Sequence, residues 1–110
     1  MSNYIIGNLE TPLAGEELVY SSHKWSFNTP DCFAESLKKA GFNLLTTANN
    51  HCLDRGKIGL LNTLKTLDRY GLEHIGTYAQ KSDKEKIFIK DIGGLRFAFL
   101  YLWHQCIIKW

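Results

Sequence analysis

Apolar and polar positions alternate along this chain in a way that predicts strands and helices in turn. Residues 4–9 form a short apolar run with β-branched side chains, which is typical of a buried strand. A first helix is predicted to begin at Thr29-Pro30, a capping residue followed by proline, and to end at Gly41. Its predicted apolar face consists of Phe33, Leu37 and Ala40.

The next segment repeats this pattern of strand and helix. Residues 42–48 are again apolar and predict a second strand, and residues 57–70 predict a second helix that ends at Gly71. Residues 72–75 predict a short third strand. The predicted apolar face of the second helix consists of Ile58, Leu61, Leu64 (or Lys65) and Leu67.

The last part of the chain predicts a hairpin. Residues 81–86 are a charged link, and residues 87–89 and 95–102 are strand-like segments around Asp91-Ile92-Gly93-Gly94. The predicted order is therefore β-α-β-α-β followed by a β-hairpin. Helices that alternate with apolar strands indicate an α/β fold with parallel strands.

Composition narrows the class of protein. The chain has 110 residues, 45% of them hydrophobic and 22% charged, which is typical of one globular domain or part of a larger one. A formal net charge of +2 does not favour nucleic acid as a partner. The chain shows no signal-peptide pattern, and no apolar run is long enough to span a bilayer, so we expect a soluble chain as written.

The cysteines indicate structural thiols. Cys32, Cys52 and Cys106 are odd in number and form no CxxC pair, so we expect reduced thiols and no disulfide framework. Cys52 lies beside His51, which raises the question of a nucleophilic thiol. Adjacent residues on a turn usually point apart, which favours a structural role for Cys52.

Polar side chains follow two of the predicted strands. Glu10 comes directly after the first strand, and Asn49-Asn50-His51 and then Asp54 come after the second. In an α/β sheet, ligands bind beyond the carboxyl ends of the strands. Carboxylate, amide oxygen and imidazole together suit Mn²⁺, Fe²⁺, Zn²⁺ or Mg²⁺, ions that can clamp a transferring phosphoryl group. The sequence thus predicts a metal site, without fixing the reaction.

Each of these residues also has a structural interpretation. Asp54 could cap the helix that begins near residue 57. Asn49 and Asn50 could serve as turn residues, because asparagine tolerates left-handed backbone. Glu10 taken alone is typical of a surface carboxylate, and His51 taken alone is more often structural.

Sequence motifs in a fixed order make the interpretation of these candidate site residues more specific. NLE, a Phe-Asn pair, AGF, ANNHxxDxG and GLxxTLxxL occur at Asn8–Glu10, Phe27-Asn28, Ala40–Phe42, Ala48–Gly56 and Gly59–Leu67. Over about residues 4–102 the chain resembles the CapA-type poly-γ-glutamate capsule-synthesis family, a branch of the calcineurin-like metallophosphoesterase superfamily. Arg55 stands where an aromatic residue is common in that family, which could alter the rim of the pocket.

The resemblance implies a four-layer α/β/β/α fold and assigns roles. Glu10 and Asn50 look like metal ligands. Glu10 looks like the carboxylate of the family's second metal motif, and Asn50 looks like the asparagine of its Asn-His motif. His51 looks like the candidate catalytic residue, which contacts the phosphate and assists the leaving group. Asn49 and Asp54 look like residues that support this turn. The implied cofactor is a divalent metal: Mn, Fe, Zn or Mg.

Two parts of the family pattern are missing from residues 1–110. A strand with a Gly-Asp metal motif would lie before Met1, and histidine motifs would lie beyond Trp110. We therefore expect a single, partial metallophosphoesterase-like domain that binds metal weakly or not at all and has little or no hydrolytic activity.

The resemblance also sets out the expected function and its alternative. The expected function is that of a CapA-like protein of poly-γ-glutamate capsule biosynthesis. The alternative is a non-catalytic component that assembles the capsule or binds an anionic polymer. An anionic polymer or a phosphoester is the candidate substrate, and capsule-synthesis membrane proteins are candidate partners. Family members are commonly anchored at the cell surface, and the compartment of this chain is left open.

Overall fold

The computed structural model describes residues 3–22, 25–84 and 86–100. The predicted order of strands, helices and hairpin is confirmed, and a short helix, α3, forms within the charged link. A single 3₁₀ turn, Glu16–Leu18, lies in the long loop after the first strand. The elements are β1 (Ile5–Asn8), α1 (Cys32–Lys39), β2 (Phe42–Thr46), α2 (Gly56–Arg69), β3 (Glu73–Ile75), α3 (Lys81–Lys84), β4 (Phe88–Ile92) and β5 (Leu95–Phe99).

The first three strands form a parallel sheet in the order β1-β2-β3. Asn8 of β1 is in register with Thr46 of β2, and Thr46 is in register with Ile75 of β3. The expected α/β class with parallel strands is therefore confirmed. Because the strands run in the same direction, the residues that follow Asn8, Thr46 and Ile75 all lie at the carboxyl end of the sheet.

Both faces of the central strand β2 are covered. Leu44 and Leu45 are 0% and 1% exposed, and adjacent strand residues point to opposite faces. Lys90 of β4 bonds Glu73, the register partner of Leu44, at 2.6 Å, which places the hairpin on the Leu44 side. Leu45 belongs to the cluster that packs against the two long helices: Leu9, Leu13, Ala34, Leu45, Leu67 and Leu72.

The prediction that the first strand is buried is wrong. Ile5 and Ile6 of β1 are 37% and 46% exposed. The physical reason is the position of β1, which lies at the edge of the sheet and pairs, within the described residues, with β2 alone. An apolar run identifies a strand, but its neighbours in the sheet determine how far it is buried.

The predicted apolar faces of the helices are only partly correct. Helix α1 begins at Cys32, two residues after Pro30, and it buries Ala34, while Phe33 and Ala40 are exposed. In α2 Ile58 is 66% exposed. The buried face of α2 is made by Gly59, Leu60, Thr63, Leu64, Thr66 and Leu67.

The long loop after β1 explains why α2 buries the face that includes Thr63 and Thr66, and leaves Ile58 exposed. The backbone N–H of Leu13 donates to Oγ of Thr63 at 3.0 Å, and Thr66 donates to the carbonyl of Leu13 at 3.3 Å. Threonines on the helix thus satisfy the backbone of a buried loop segment, and the helix turns that face inward.

The hairpin prediction is confirmed, with β4 and β5 antiparallel and Ile92 opposite Leu95. Gly93 and Gly94 have φ values of 58° and 82°, and a type I′ turn requires positive φ at both positions. The predicted end of the last strand, residues 101–102, lies outside the described residues. No helix in the described part of the chain is both long and apolar enough to cross a membrane.

Candidate functional site

Asn49 joins the ends of two parallel strands. It is 5% exposed, and its Nδ2 donates to the carbonyl of Leu9 at 2.7 Å and to Oδ1 of Asn8 at 3.2 Å. Its Oδ1 accepts the backbone N–H of His51 at 3.0 Å. Asn49 therefore connects the segment after β1 to the turn that carries His51, which is the geometry that a supporting residue needs.

Asp54 is bonded to His51 and does not cap the following helix. Nδ1 of His51 lies 2.7 Å from Oδ2 of Asp54, and the same oxygen accepts the backbone N–H of Phe27 at 2.8 Å. Arg55 occupies the N-cap of α2 and makes no side-chain capping bond. The structure thus shows Asp54 in contact with His51, and not in the helix-cap role that was one alternative at the sequence level.

The surroundings of His51 leave one ring nitrogen available. Its side chain is 14% exposed, and the ring of Phe27 stacks on it with centroids 4.1 Å apart. Because the Asp54 carboxylate can only accept, Nδ1 carries the proton in the neutral ring and Nε2 keeps its lone pair. Nε2 makes no hydrogen bond with the described residues, so it is the atom that can accept a proton or bind a ligand.

Glu10 and Asn50 flank the same strand-end hydrogen bond. Glu10 follows Leu9, whose carbonyl accepts the bond from Asn49, and Asn50 follows Asn49 directly. Both side chains are exposed. These two predicted ligands thus lie at the carboxyl end of the sheet, where His51 also lies.

The described residues do not make a complete metal centre. Among residues 3–22, 25–84 and 86–100, no group of three or more His, Cys, Asp or Glu side chains could hold a metal ion. Glu10 and Asn50 provide one carboxylate and one amide oxygen, which is part of a donor set.

Arg55 connects the N-terminus of α2 to the loop between β1 and α1. Its Nε donates to the carbonyls of Leu18 and Val19 at 2.9 and 3.0 Å, and its Nη1 donates to Oγ of Ser26 at 2.6 Å. Arg55 thus anchors the loop that carries Leu18, Val19 and Ser26.

Asn28 completes this anchoring from inside the loop. It is 1% exposed, and its Oδ1 accepts the N–H of Ala14 at 2.9 Å. Its Nδ2 donates to the carbonyls of Gly15 and Val19 at 3.0 and 3.1 Å. One buried amide thus satisfies three backbone groups of residues 14–19.

Sequence reasoning gave no role to two residues that the structure brings to the site. Asn8 accepts bonds from Thr46 Oγ1 and Asn49 Nδ2, both at 3.2 Å. Phe27 contacts both His51 and Asp54. Both lie within the matched motifs, which is the signal that could have identified them.

The cysteine expectation holds at one position and fails at another. Cys32 is a free, exposed thiol. Cys52 is 8% exposed and disulfide-bonded, so it carries no reduced thiol beside His51. The structural role expected for Cys52 is thus taken by a disulfide.

Comparison with known proteins identifies the family. The family described as bacterial capsule synthesis protein PGA_cap matches residues 1–106. The chain belongs to this family. The resemblance to a capsule-synthesis family is therefore confirmed.

Individual relatives agree with the family match. The chain is 28% identical to the capsule biosynthesis protein CapA of Bacillus anthracis over 102 residues, which is 90% of this chain and 25% of that protein. It is 30% identical to the PGA biosynthesis protein CapA of Bacillus subtilis over 101 residues, again 90% of this chain and 27% of the relative. An uncharacterized protein of Sinorhizobium fredii is 48% identical over 64 residues, 58% of this chain and 14% of that protein. The chain spans about a quarter of the length of the two CapA relatives.

Proposed function

We propose that this PGA_cap chain acts in poly-γ-glutamate capsule biosynthesis and contributes one part of a phosphoesterase-like hydrolytic site. The family match and the names of the two Bacillus relatives support the biological role. The arrangement of side chains at the strand ends supports the chemistry. In this proposal, residues 1–110 are a partial metallophosphoesterase-like domain with the implied four-layer fold.

The observation that carries the proposal is the His51–Asp54 pair at the carboxyl edge of a parallel sheet. The 2.7 Å contact fixes the ring and leaves Nε2 open. An imidazole held in this way can donate or accept a proton at a leaving group. His51 is therefore the proposed catalytic residue, supported by Asp54 and Asn49.

Glu10 and Asn50 are the proposed metal ligands of this segment. Their oxygens suit Mn²⁺, Fe²⁺, Zn²⁺ or Mg²⁺, and such an ion, when bound, stabilises charge on phosphoryl oxygens. Because the described residues hold only part of a donor set, we expect residues 1–110 alone to bind metal weakly and to hydrolyse little. Calorimetric titration with Mn²⁺ and with Zn²⁺ tests this, and sub-micromolar binding would contradict it.

Substitutions test the hydrolytic part. We expect Glu10→Ala, Asn50→Ala and His51→Ala each to remove any hydrolysis of an aryl phosphate, with the far-UV circular dichroism spectrum unchanged. His74→Ala is the matched control, because His74 of β3 bonds Asp68 of α2 and neither residue belongs to the proposed site. If all three site variants keep the wild-type rate, the hydrolytic proposal is wrong.

A non-catalytic role is the second candidate, and the incomplete donor set favours it. In that case the chain binds an anionic polymer or assists assembly with capsule-synthesis membrane proteins. The His51→Ala variant would then bind poly-γ-glutamate as tightly as wild type at physiological ionic strength. Loss of that binding only at raised salt would show electrostatic attraction, because salt screens exposed charges.

A further inference from the structure

We propose that Phe27 is a positioning residue, whose ring holds the His51 imidazole in one orientation and whose backbone N–H, through Asp54, holds it in one tautomer. This inference rests on the proposed function for its catalytic meaning. Its structural content can be tested without any activity.

Phe27 contacts both members of the His51–Asp54 pair. Its ring lies over the imidazole at 4.1 Å with an angle of 30° between the planes. Its backbone N–H donates to Oδ2 of Asp54 at 2.8 Å, the same oxygen that contacts Nδ1 of His51 at 2.7 Å. One residue thus restrains the face of the imidazole and the carboxylate at its edge.

The double contact at Oδ2 also determines the tautomer. An oxygen that already accepts the N–H of Phe27 is poorly placed to carry a proton of its own, so it acts as an acceptor toward His51 as well. Nδ1 of His51 must then be the donor. Nε2 has no hydrogen-bond partner in the part of the chain that the structure describes.

Phe27 is held in place by its neighbours in sequence. Ser26 accepts a bond from Arg55 at 2.6 Å, and the buried amide of Asn28 makes three bonds to backbone groups of residues 14–19. A side chain between two such anchors has little freedom to leave the imidazole. A ring fixed in advance can restrain His51 at low entropic cost.

Phe27 is not explained as an ordinary core residue. It is half-buried and lies outside the main apolar cluster of Leu9, Leu13, Ala34, Leu45, Leu67 and Leu72. Its described ring contact is with His51. An aromatic ring that faces an imidazole instead of the core is more readily explained by the needs of the site.

The experiment is long-range ¹H–¹⁵N NMR of the histidine rings in the whole chain, at a pH where the rings are neutral. We expect His51 to show a single tautomer with the proton on Nδ1. His74 is an internal control with the opposite expectation, because its Nε2 contacts Asp68 at 2.7 Å and its Nδ1 has no described partner. The same spectrum should therefore contain both tautomers, one at each histidine.

Substitution of Phe27 supplies the decisive comparison. In Phe27→Ala the ring-current shift of the His51 carbon-bound protons should be lost, whereas Nδ1 should keep its proton, because the backbone N–H of residue 27 still donates to Asp54. Diethylpyrocarbonate should modify His51 several-fold faster than in wild type, with His74 unchanged. Phe27→Leu keeps apolar bulk if the alanine variant fails to fold, and it should still lose the ring-current shift. Phe27→Tyr should restore the wild-type pattern.

Two results would overturn the inference. One is a wild-type His51 that already populates both tautomers or carries its proton on Nε2. The other is a folded Phe27→Ala variant whose His51 proton shifts and reactivity match wild type. If the chain or a longer protein containing it proves active, Phe27→Ala should lower kcat several-fold with KM unchanged. Absence of activity in every variant of the longer protein would count against the proposed function and would leave the tautomer result intact.

Discussion

Replacement of Asn28 by aspartate should destabilise the fold strongly, although the two side chains have almost the same shape. The amide Nδ2 of Asn28 donates to the carbonyls of Gly15 and Val19. Asn28→Asp replaces this donor with an oxygen that faces both carbonyls. The acceptor for the N–H of Ala14 is kept, so the change isolates the two donated bonds.

The magnitude follows from burial. Asn28 is 1% exposed, so the two lost bonds are not replaced by water, although Val19 keeps the bond from Arg55 and Gly15 keeps the bond from Leu18. At about 0.5–1.5 kcal/mol for each lost bond, the pair costs roughly 1–3 kcal/mol. That is a large part of the about 5–15 kcal/mol that a domain holds in total, and it corresponds to a fall in Tm of roughly 5–20 °C.

The loss of stability caused by Asn28→Asp should depend on pH and should grow as pH rises. Burial and two facing carbonyls favour the neutral form of the introduced carboxyl, so its pKa in the folded state rises above the unfolded value of about 3.9. Stability is then retained below that value and lost as pH rises through the higher folded pKa. We expect the deficit relative to wild type to be smaller near pH 4 than near pH 7.

Urea unfolding followed by far-UV circular dichroism measures this deficit. Asn3→Asp is the matched control, since it makes the same chemical change at an exposed position. A surface change of this kind should stay within about 0.5 kcal/mol of wild type. If Asn28→Asp also stays within that range near pH 7, the reasoning about the loop is refuted.

Two further predictions concern α2 and the hairpin. Gly59→Ala should lower the free energy of unfolding by about 1–3 kcal/mol in spite of the better helix propensity of alanine, because the added Cβ would lie 2.4 Å from Cβ of Arg55. Lys65→Ala, on the exposed face of α2, is the control. Equal urea midpoints for the two variants would contradict the prediction. The hydrogen bond to Glu73 and then its charge raise the pKa of Lys90. The gap in Tm between wild type and Lys90→Met should therefore shrink as pH rises above about 10.4, and a gap that stays constant would contradict the assigned ion pair.

The local pattern of the chain was enough to predict the kinds and order of its elements. Strand, helix and turn depend on residues a few positions apart, so the parallel α/β order and the Gly93-Gly94 turn are confirmed. Glycine at the end of α1 is a further example, because Gly41 adopts a φ of 98°, which other residues rarely adopt. Residue types alone also indicated which polar side chains could carry chemistry.

Contacts across long stretches of chain decided what those patterns left open. The bond from Phe27 to Asp54 spans 27 residues, and the bond from Asn49 to Leu9 spans 40. Whether Asp54 caps a helix or holds a histidine therefore depends on where a distant loop lies. Likewise, the same apolar run would be buried in a central strand, and it is exposed in β1 because β1 lies at an edge. The sequence by itself determined the elements and the candidate chemistry, whereas the tertiary structure decided burial and partners, since both depend on neighbours that are far apart along the chain.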